Sequence, residues 1–229
     1  MLFQHEFRKL HAGYADVQAL GVDLSPQAVR LAQRNLEKQK KEQDDFPDVR
    51  FTRADVLAKG EGNKGLVSGV TSVLSGYNES TNGKSWDILT SNPPYISPSA
   101  FNHTTSRSVR NFEPRLALVP EEQYHLPDVD PGDVFYPRLL QLAKELSSSI
   151  VLFEVADMDQ ARRVAAMMKH QGLWTGVEIW RDDPGSDIDA PYDGDRPSAE
   201  VPVIGRGNGR SVFAWRGEAS RWLAARTAV

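Results

Sequence analysis

The chain predicts an α/β sandwich: a mostly parallel sheet flanked by helices, with an antiparallel hairpin at one edge. Three observations predict it. Short apolar runs at 17–23, 49–52, 86–89 and 150–155 alternate with segments of helical periodicity. The last two strand-like runs, 174–180 and 211–215, are joined by a Gly- and Pro-rich stretch without a helical pattern, as an antiparallel hairpin requires. Asp23, Asp55 and Asn92 each close one of three consecutive strands. Ligands in such sheets bind at the carboxyl ends of the strands, so three polar residues there mark a site.

Size and composition narrow the class. The 229 residues suit one sizeable domain over 1–229. With 40% hydrophobic and 25% charged residues the chain reads as a soluble globular protein. A net charge of −4 and a pI near 5.8 argue against a surface for duplex DNA, which carries a basic stripe. Cysteine is absent, which excludes disulfides, thiol nucleophiles and thiolate metal sites. His5, His11, His103, His125 and His170 never fall at the spacing of a helical zinc pair. No run is apolar enough to cross a membrane, and no signal peptide is visible after Met1.

The elements come in order along the chain. Leu2, Phe3, Phe7, Leu10 and Tyr14 recur as on one face of a helix. After the strand at 17–23, Ser25 is placed to cap a helix with Pro26 at its first position, where a missing N–H costs nothing. Ala28, Val29, Leu31, Ala32 and Leu36 form its inward stripe, and the charges at 37–41 its solvated end. A Gly/Ser/Asn-rich insertion at about 58–85 carries Leu66, Val67, Val70, Val73 and Leu74 at helical spacing. Residues 97–133 read as a long Pro-punctuated loop. Helices are expected at 134–146, with Phe135, Leu139, Leu142 and Leu146 inside, and at 160–171, with Ala161, Val164, Ala165 and Met168 inside and Gly172 closing it. A second insertion, 181–208, is acidic. Asp189, Asp193, Gly194 and Glu200 fit four positions of a calcium loop, but Pro191 and Arg196 do not and no helices flank it, so a surface loop is expected and no metal.

Chemistry concentrates at 91–96, Ser-Asn-Pro-Pro-Tyr-Ile. Pro93 and Pro94 have fixed φ and no N–H, so the chain leaves its strand as a stiff extended loop with free carbonyls. Asn92 adds an amide and Tyr95 a flat ring. The group they suit is planar and bears N–H donors, such as an amide or exocyclic amine; a rigid strand-capping turn is the plainer alternative. Asp23 is placed to accept from ribose hydroxyls or to shape the strand-to-helix turn. Asp55 could accept from an exocyclic amine or cap the helix that comes after it. No nucleophile elbow and no histidine beside a nucleophile is present, so hydrolysis is not indicated. Orienting a poor nitrogen nucleophile toward an activated carbon is the chemistry that remains.

The runs Gly21-Val22-Asp23-Leu24-Ser25, Arg53-Ala54-Asp55, 87–96 and Glu113-Pro114-Arg115-Leu116-Ala117-Leu118, with Phe153-Glu154-Val155, Gln160 following it, and 209–213 further on, resemble the S-adenosylmethionine-dependent methyltransferases of the HemK/PrmC type. These are the peptide chain release factor glutamine N5-methyltransferases. Asn-Pro-Pro-Tyr alone is shared with adenine-N6 methyltransferases of nucleic acids; the segment at 113–118 points to the glutamine enzymes. The resemblance implies a class I, Rossmann-like methyltransferase fold with S-adenosyl-L-methionine as cofactor. It implies that Asp23 holds the cofactor ribose, that Asp55 and Val56 border the adenine, and that Asn92 lies next to the cofactor as well. Asn92 and the Pro93 carbonyl would take the substrate glutamine amide, with Pro94 stiffening the loop and Tyr95 packing on the amide plane. A release factor is the implied partner, with no membrane and a monomeric enzyme, and the insertions resemble eukaryotic members that serve mitochondria.

One feature of the family is missing. Its members carry a strand and a Gly-x-Gly-x-Gly turn ahead of the first helix, and this sequence shows neither, nor the N-terminal helical domain. An incomplete chain or a non-catalytic remnant that keeps the fold is therefore the alternative expectation to an active enzyme, beside an adenine-N6 methyltransferase.

Overall fold

The computed structural model describes residues 17–42, 48–58, 68–80, 85–125, 127–186 and 201–224. The helix expected over the first dozen residues, Leu66, Val67 and the four calcium-pattern residues lie outside them. Two compact units divide the chain, Met1–Gly83 and Lys84–Val229.

The first unit holds a two-stranded parallel sheet, β1 (Ala19–Asp23) beside β2 (Val49–Arg53), connected through helix α1 (Pro26–Glu42). Ser25 begins that helix as expected: its Oγ accepts the Ala28 N–H at 3.3 Å, and its carbonyl accepts Val29 N–H. Val29 and Leu36 are buried, but Leu31, assigned to the inward stripe, is half exposed. Among the described residues of its unit this helix packs on β1 and β2, and Leu31 falls outside the stripe they cover. Gly21 is required here, since a Cβ would lie 2.4 Å from the Phe51 ring. The helix expected within the first insertion is α2 (Val70–Ser80), which buries Val70 and Leu74.

In the second unit five strands pair in the order β3 (Ile88–Ser91), β4 (Ile150–Glu154), β7 (Arg206–Trp215), β5 (Gly176–Asp183), β6 (Val203–Ile204). β3 runs parallel to β4 and β6 to β5, while β7 is antiparallel to both of its neighbours. The hairpin expected at the edge is β5 with β7, and β7 is its inner strand. β3 begins two residues later than the apolar run at 86–89 indicates and extends to Ser91. Trp86 instead donates its N–H to the Leu146 carbonyl and Asp87 accepts from Ser149 and Ile150, tying the entry to the turn before β4.

Alternation places Val151 and Phe153 of β4, Val177 and Ile179 of β5, and Val212 and Ala214 of β7 on one buried face. Helices α5 (Phe135–Glu145) and α6 (Met158–Gln171) supply Leu139, Leu142, Val164, Ala165 and Met168 to the same core, as expected, and α6 packs directly on β5 and β7. Each fully buried Val, Leu, Ile, Phe or Met side chain among these contributes about 1.5–3 kcal/mol. On the opposite face Trp180 stacks on Phe213 at 4.5 Å, and Phe213 meets Trp215 at 5.4 Å. Gly176 lies under Trp215, where a Cβ would approach its ring to 2.1 Å. The short helix α7 (Glu218–Ala224) comes after β7.

The expected loop at 97–133 is largely ordered into short elements. Two one-and-a-half-turn helices, α3 (Pro98–His103) and α4 (Arg107–Phe112), begin at Ser97 and Ser106, whose hydroxyls accept the N–H groups of Ala100 and Val109. Three 3-10 turns come next, the last at Pro131–Asp133. Prolines that punctuate a loop in sequence here start helical turns.

Gly172 ends α6 in the left-handed conformation, φ 65°, with open space around its Cβ position. Gly172→Ala should therefore destabilise the unit by about 1 kcal/mol through backbone strain alone. Urea unfolding should show this loss, and Gly172→Asn should show a smaller one.

Candidate functional site

In the first unit the two predicted cofactor residues sit at adjacent strand ends. Asp23 is the last residue of β1, exposed, and its carbonyl accepts the Ala54 N–H at 3.2 Å. Its Oδ1 accepts Ser25 N–H at 2.7 Å, so part of the carboxylate shapes the turn into α1. Asp55 lies two residues beyond β2 and is only 9% exposed. Its Oδ1 accepts Leu57 N–H at 2.8 Å, and its backbone bridges to Gly69 ahead of α2. The turn-shaping role weighed for Asp23 is thus present, whereas Asp55 closes a local turn onto Leu57 rather than capping the next helix, which starts only at Val70. Val56 is half-buried beside Asp55. A hollow next to Asp23 is lined by Val22, Ala28, Val29, Ala32 and Phe51, which gives the exposed carboxylate an apolar neighbour.

In the second unit the proline loop leaves β3 at the carboxyl end of the sheet. Register places Ser91 beside Phe153, so Asn92 emerges at the level of Glu154. Asn92 is exposed, Pro93 buried, and Pro94 and Tyr95 half-buried. This is the arrangement a presenting loop needs: the proline is gripped and the amide faces out. The Ile96 N–H donates to the Leu118 carbonyl at 2.9 Å, which joins the loop to the Glu113–Leu118 segment that the sequence singles out with it.

Tyr95 is held at its ring tip. Its hydroxyl donates to Glu154 Oε1 at 2.9 Å. Burial, and next the Glu154 carboxylate that accepts from it, raise the phenol above its ordinary value, while the Arg210 guanidinium works in the opposite direction. Arg210 reaches this place from β7, where its Nε donates to Asp182 Oδ1 at 2.8 Å. Asp182 also accepts from Asn208 N–H at 2.9 Å. That bond first, and Arg210 second, hold its carboxyl below the usual range. The strand is shaped for this contact: Gly207 has φ 93°, and a Cβ there would meet Asp182 Oδ2 at 2.7 Å.

Tyr95 is held at its backbone as well. Gln160, 2% exposed near the start of α6, donates from Nε2 to the Tyr95 carbonyl at 3.2 Å, the Gly132 carbonyl at 3.1 Å and Asp133 Oδ1 at 2.8 Å. Asp133, 1% exposed, is paired with Arg163 at 2.6 and 3.0 Å. Tyr136 is fully buried against Phe153 and donates to the Glu154 carbonyl at 2.8 Å; burial, then Asp133, raise its phenol far above the ordinary range.

The structure therefore gathers Asn92, Pro93, Pro94 and Tyr95 with Glu154, Gln160 and Arg210 in one unit, and Asp23, Asp55 and Val56 in the other. Glu154, Gln160 and Arg210 receive no role from the sequence. Glu154 is legible by the rule that finds the others, since it is an acid closing a strand. Asp133 and Arg163 give no signal, because their importance arises only when α5 and α6 pack. Among the described residues no cluster of His, Asp and Glu could hold a metal, and no helix is long and apolar enough to cross a membrane.

No family profile matches the chain. Curated relatives do. The chain is 30% identical over 183 residues to the release factor glutamine methyltransferase of Nitratidesulfovibrio vulgaris, covering 78% of this chain and 50% of that protein. It is 25% identical over 166 residues to the probable MRF1 mitochondrial N(5)-glutamine methyltransferase mtq1 of Schizosaccharomyces pombe, covering 69% and 46%. Among solved structures, the hMettl16 catalytic domain in complex with MAT2A 3′UTR hairpin 1 aligns over 93% of this chain and 59% of that one, with a TM-score of 0.47 and 12% identity. The chain spans about half the length of the curated relatives it matches. Over most of its length the chain is thus similar in sequence to curated release factor glutamine methyltransferases.

The electrostatics of the site give two measurable outcomes. In Glu154→Gln the Tyr95 phenol should titrate at lower pH than in the parent chain yet stay above its ordinary value, because burial is the larger cause; ring-carbon NMR of Tyr95 reads this. An unmoved titration would contradict the contact. For Asp182 the folded value is depressed, so its contribution is complete above about pH 4 and is lost as pH falls through the lowered value. Exchange protection of the Asn208 amide should fade in that acidic window and not above it.

Proposed function

We propose that this chain carries the chemistry of S-adenosylmethionine-dependent N5-methylation of a glutamine side chain in a peptide chain release factor. The observation that carries the reading is the exposed Asn92 amide on a rigid, doubly held Pro93-Pro94-Tyr95 loop, in a chain homologous to enzymes named for that reaction.

The residues present fit the cofactor. Asp23 is an exposed carboxylate at a strand end with an apolar hollow beside it, a donor set suited to ribose hydroxyls and an adenine plane. Asp55 and Val56, one strand over, would border the adenine. S-Adenosylmethionine, when bound, supplies an electrophilic methyl on a sulfonium.

The loop's part comes from amide chemistry. A glutamine amide nitrogen is a poor nucleophile because its lone pair is delocalised into the carbonyl. The Asn92 side-chain oxygen and the Pro93 carbonyl each accept one N–H, which fixes the amide plane and raises electron density on nitrogen. Tyr95 packs against that plane and, anchored through its hydroxyl, limits rotation. Two aligned acceptors on a stiff loop position the nitrogen for attack, and positioning alone can supply several kcal/mol. As the new N–C bond forms, the methyl's bond to the sulfonium sulfur would break to leave a neutral thioether, and one N–H proton would be lost to solvent.

The partner under this reading is the glutamine-bearing loop of a release factor. The enzyme acts as a monomer, without membrane attachment or duplex DNA, and the name of the fission yeast relative supports a mitochondrial setting. An adenine-N6 reading rests on Asn-Pro-Pro-Tyr alone. Incubation with a release factor and with an adenine-containing oligonucleotide separates the two, and calorimetric titration with S-adenosylhomocysteine reports whether the chain retains the cofactor or is a non-catalytic remnant. Asn92→Ala should abolish methyl transfer while leaving cofactor affinity within a few-fold; equal loss of both would sink the assigned role.

A further inference from the structure

We infer that Gln160 is a positioning residue of the site: its side-chain amide sets where Tyr95, and with it the Asn92–Pro93 acceptor pair, stands above the sheet. This rests on the reading of the 92–96 loop as the cradle of the substrate amide.

The two ends of the Gln160 amide have different duties. Its Oε1 accepts the Ala156 N–H at 2.7 Å. That end closes the start of α6, as the third residue of a helix does when it reaches back past the cap. The cap itself is Asp157, whose Oδ1 accepts Gln160 N–H at 2.8 Å. The donor duty of Ala156 settles which end of the amide is oxygen. The Nε2 end is left for the loop, where two N–H bonds are shared among the carbonyls of Tyr95 and Gly132 and the Asp133 carboxylate.

The surroundings leave that end no other orientation. Asp133 Oδ2 and Oδ1 are occupied by Arg163, so the buried acid is neutralised while still accepting from Gln160. The Gly132 backbone lies against the loop so closely that a Cβ would meet the Tyr95 carbonyl at 2.6 Å and Gln160 Nε2 at 3.2 Å. Pro93 and Pro94 have no N–H with which to tie the loop down, so the Tyr95 carbonyl, the Tyr95 hydroxyl and the Ile96 N–H are its anchors. Glu154 fixes the ring tip and Gln160 fixes the backbone. A residue held at both ends cannot tilt, and the acceptors immediately before it inherit that rigidity.

Gln160→Glu separates the duties, because a carboxylate keeps the acceptor for Ala156 and removes the donor for Tyr95. The full chain would be measured for hydrogen exchange and for methyl transfer to a release factor. At pH 8 the variant should show at least tenfold faster exchange of the Ile96 amide with the α6 amides unchanged. It should also show at least a tenfold lower kcat, with KM for S-adenosylmethionine within twofold. A glutamic acid recovers one O–H donor on protonation, so the deficit relative to the parent should shrink as pH is lowered toward 6. Gly132→Ala, whose Cβ would crowd the Tyr95 carbonyl at 2.6 Å and Gln160 Nε2 at 3.2 Å, should reproduce the loop-specific loosening with both ends of the Gln160 amide chemically intact. Loosening of α6 together with the loop in both variants, or an unchanged loop in both, overturns the inference. Absence of transfer by the parent chain would count against the cradle reading, and the exchange result would still decide the tether.

Discussion

Two consecutive prolines give a loop stiffness and deprive it of anchorage in the same stroke. Pro93 and Pro94 offer no N–H to a neighbouring strand, so the loop must be held from the residues just beyond them. In this chain that duty falls on Tyr95 and Ile96. A phenol reaches Glu154 at the end of β4, a carbonyl reaches Gln160 at the start of α6, and one amide reaches Leu118. Much of the second unit can be understood as the means of bringing those three partners to one place.

The means is an asymmetric sheet. One face of β4, β5 and β7 is closed by α5 and α6 with side chains of near-zero exposure, and rigid elements hold functional groups more accurately than loops do. The buried polar residues beside the loop are matched to one another. Asp133 meets Arg163 and Gln160, and Tyr136 spends its hydroxyl on the Glu154 carbonyl. A buried network satisfied to this degree specifies one packing of α6 against the 131–133 turn, and a half-satisfied one would be worse than an apolar core.

The architecture and the loop are legible from periodicity and turn chemistry. Ser25-Pro26 marks the start of α1, Gly172 the end of α6, and the four inward residues of α6 are all buried. Asn92 can be placed at a strand end because two prolines must terminate a strand. Anything that depends on two elements meeting is beyond such reading. Gln160 stands out in sequence only through the resemblance, following Phe153-Glu154-Val155, and no role can be read for it there because its long-range partners lie 28 and 65 positions away. Leu31 is misplaced for the related reason that the width of a helix's covered stripe is set by what it packs on. The 97–133 segment reads as loop because its prolines interrupt periodicity, whereas Ser97 with Pro98, like Ser106, begins a short helix.

The position of β7 also fixes an order of events. It is the last of the described strands and yet lies between β4 and β5, pairing Ile150 with Trp215 and Gly176 with the same residue. Until residue 215 has been synthesised, β4 and β5 have no common neighbour and their apolar faces cannot share one closed core. The second unit is thus completed by contacts distant in sequence. A nascent chain stalled before β7 would expose two unfinished strand edges, and the proline loop would stand on a sheet not yet made.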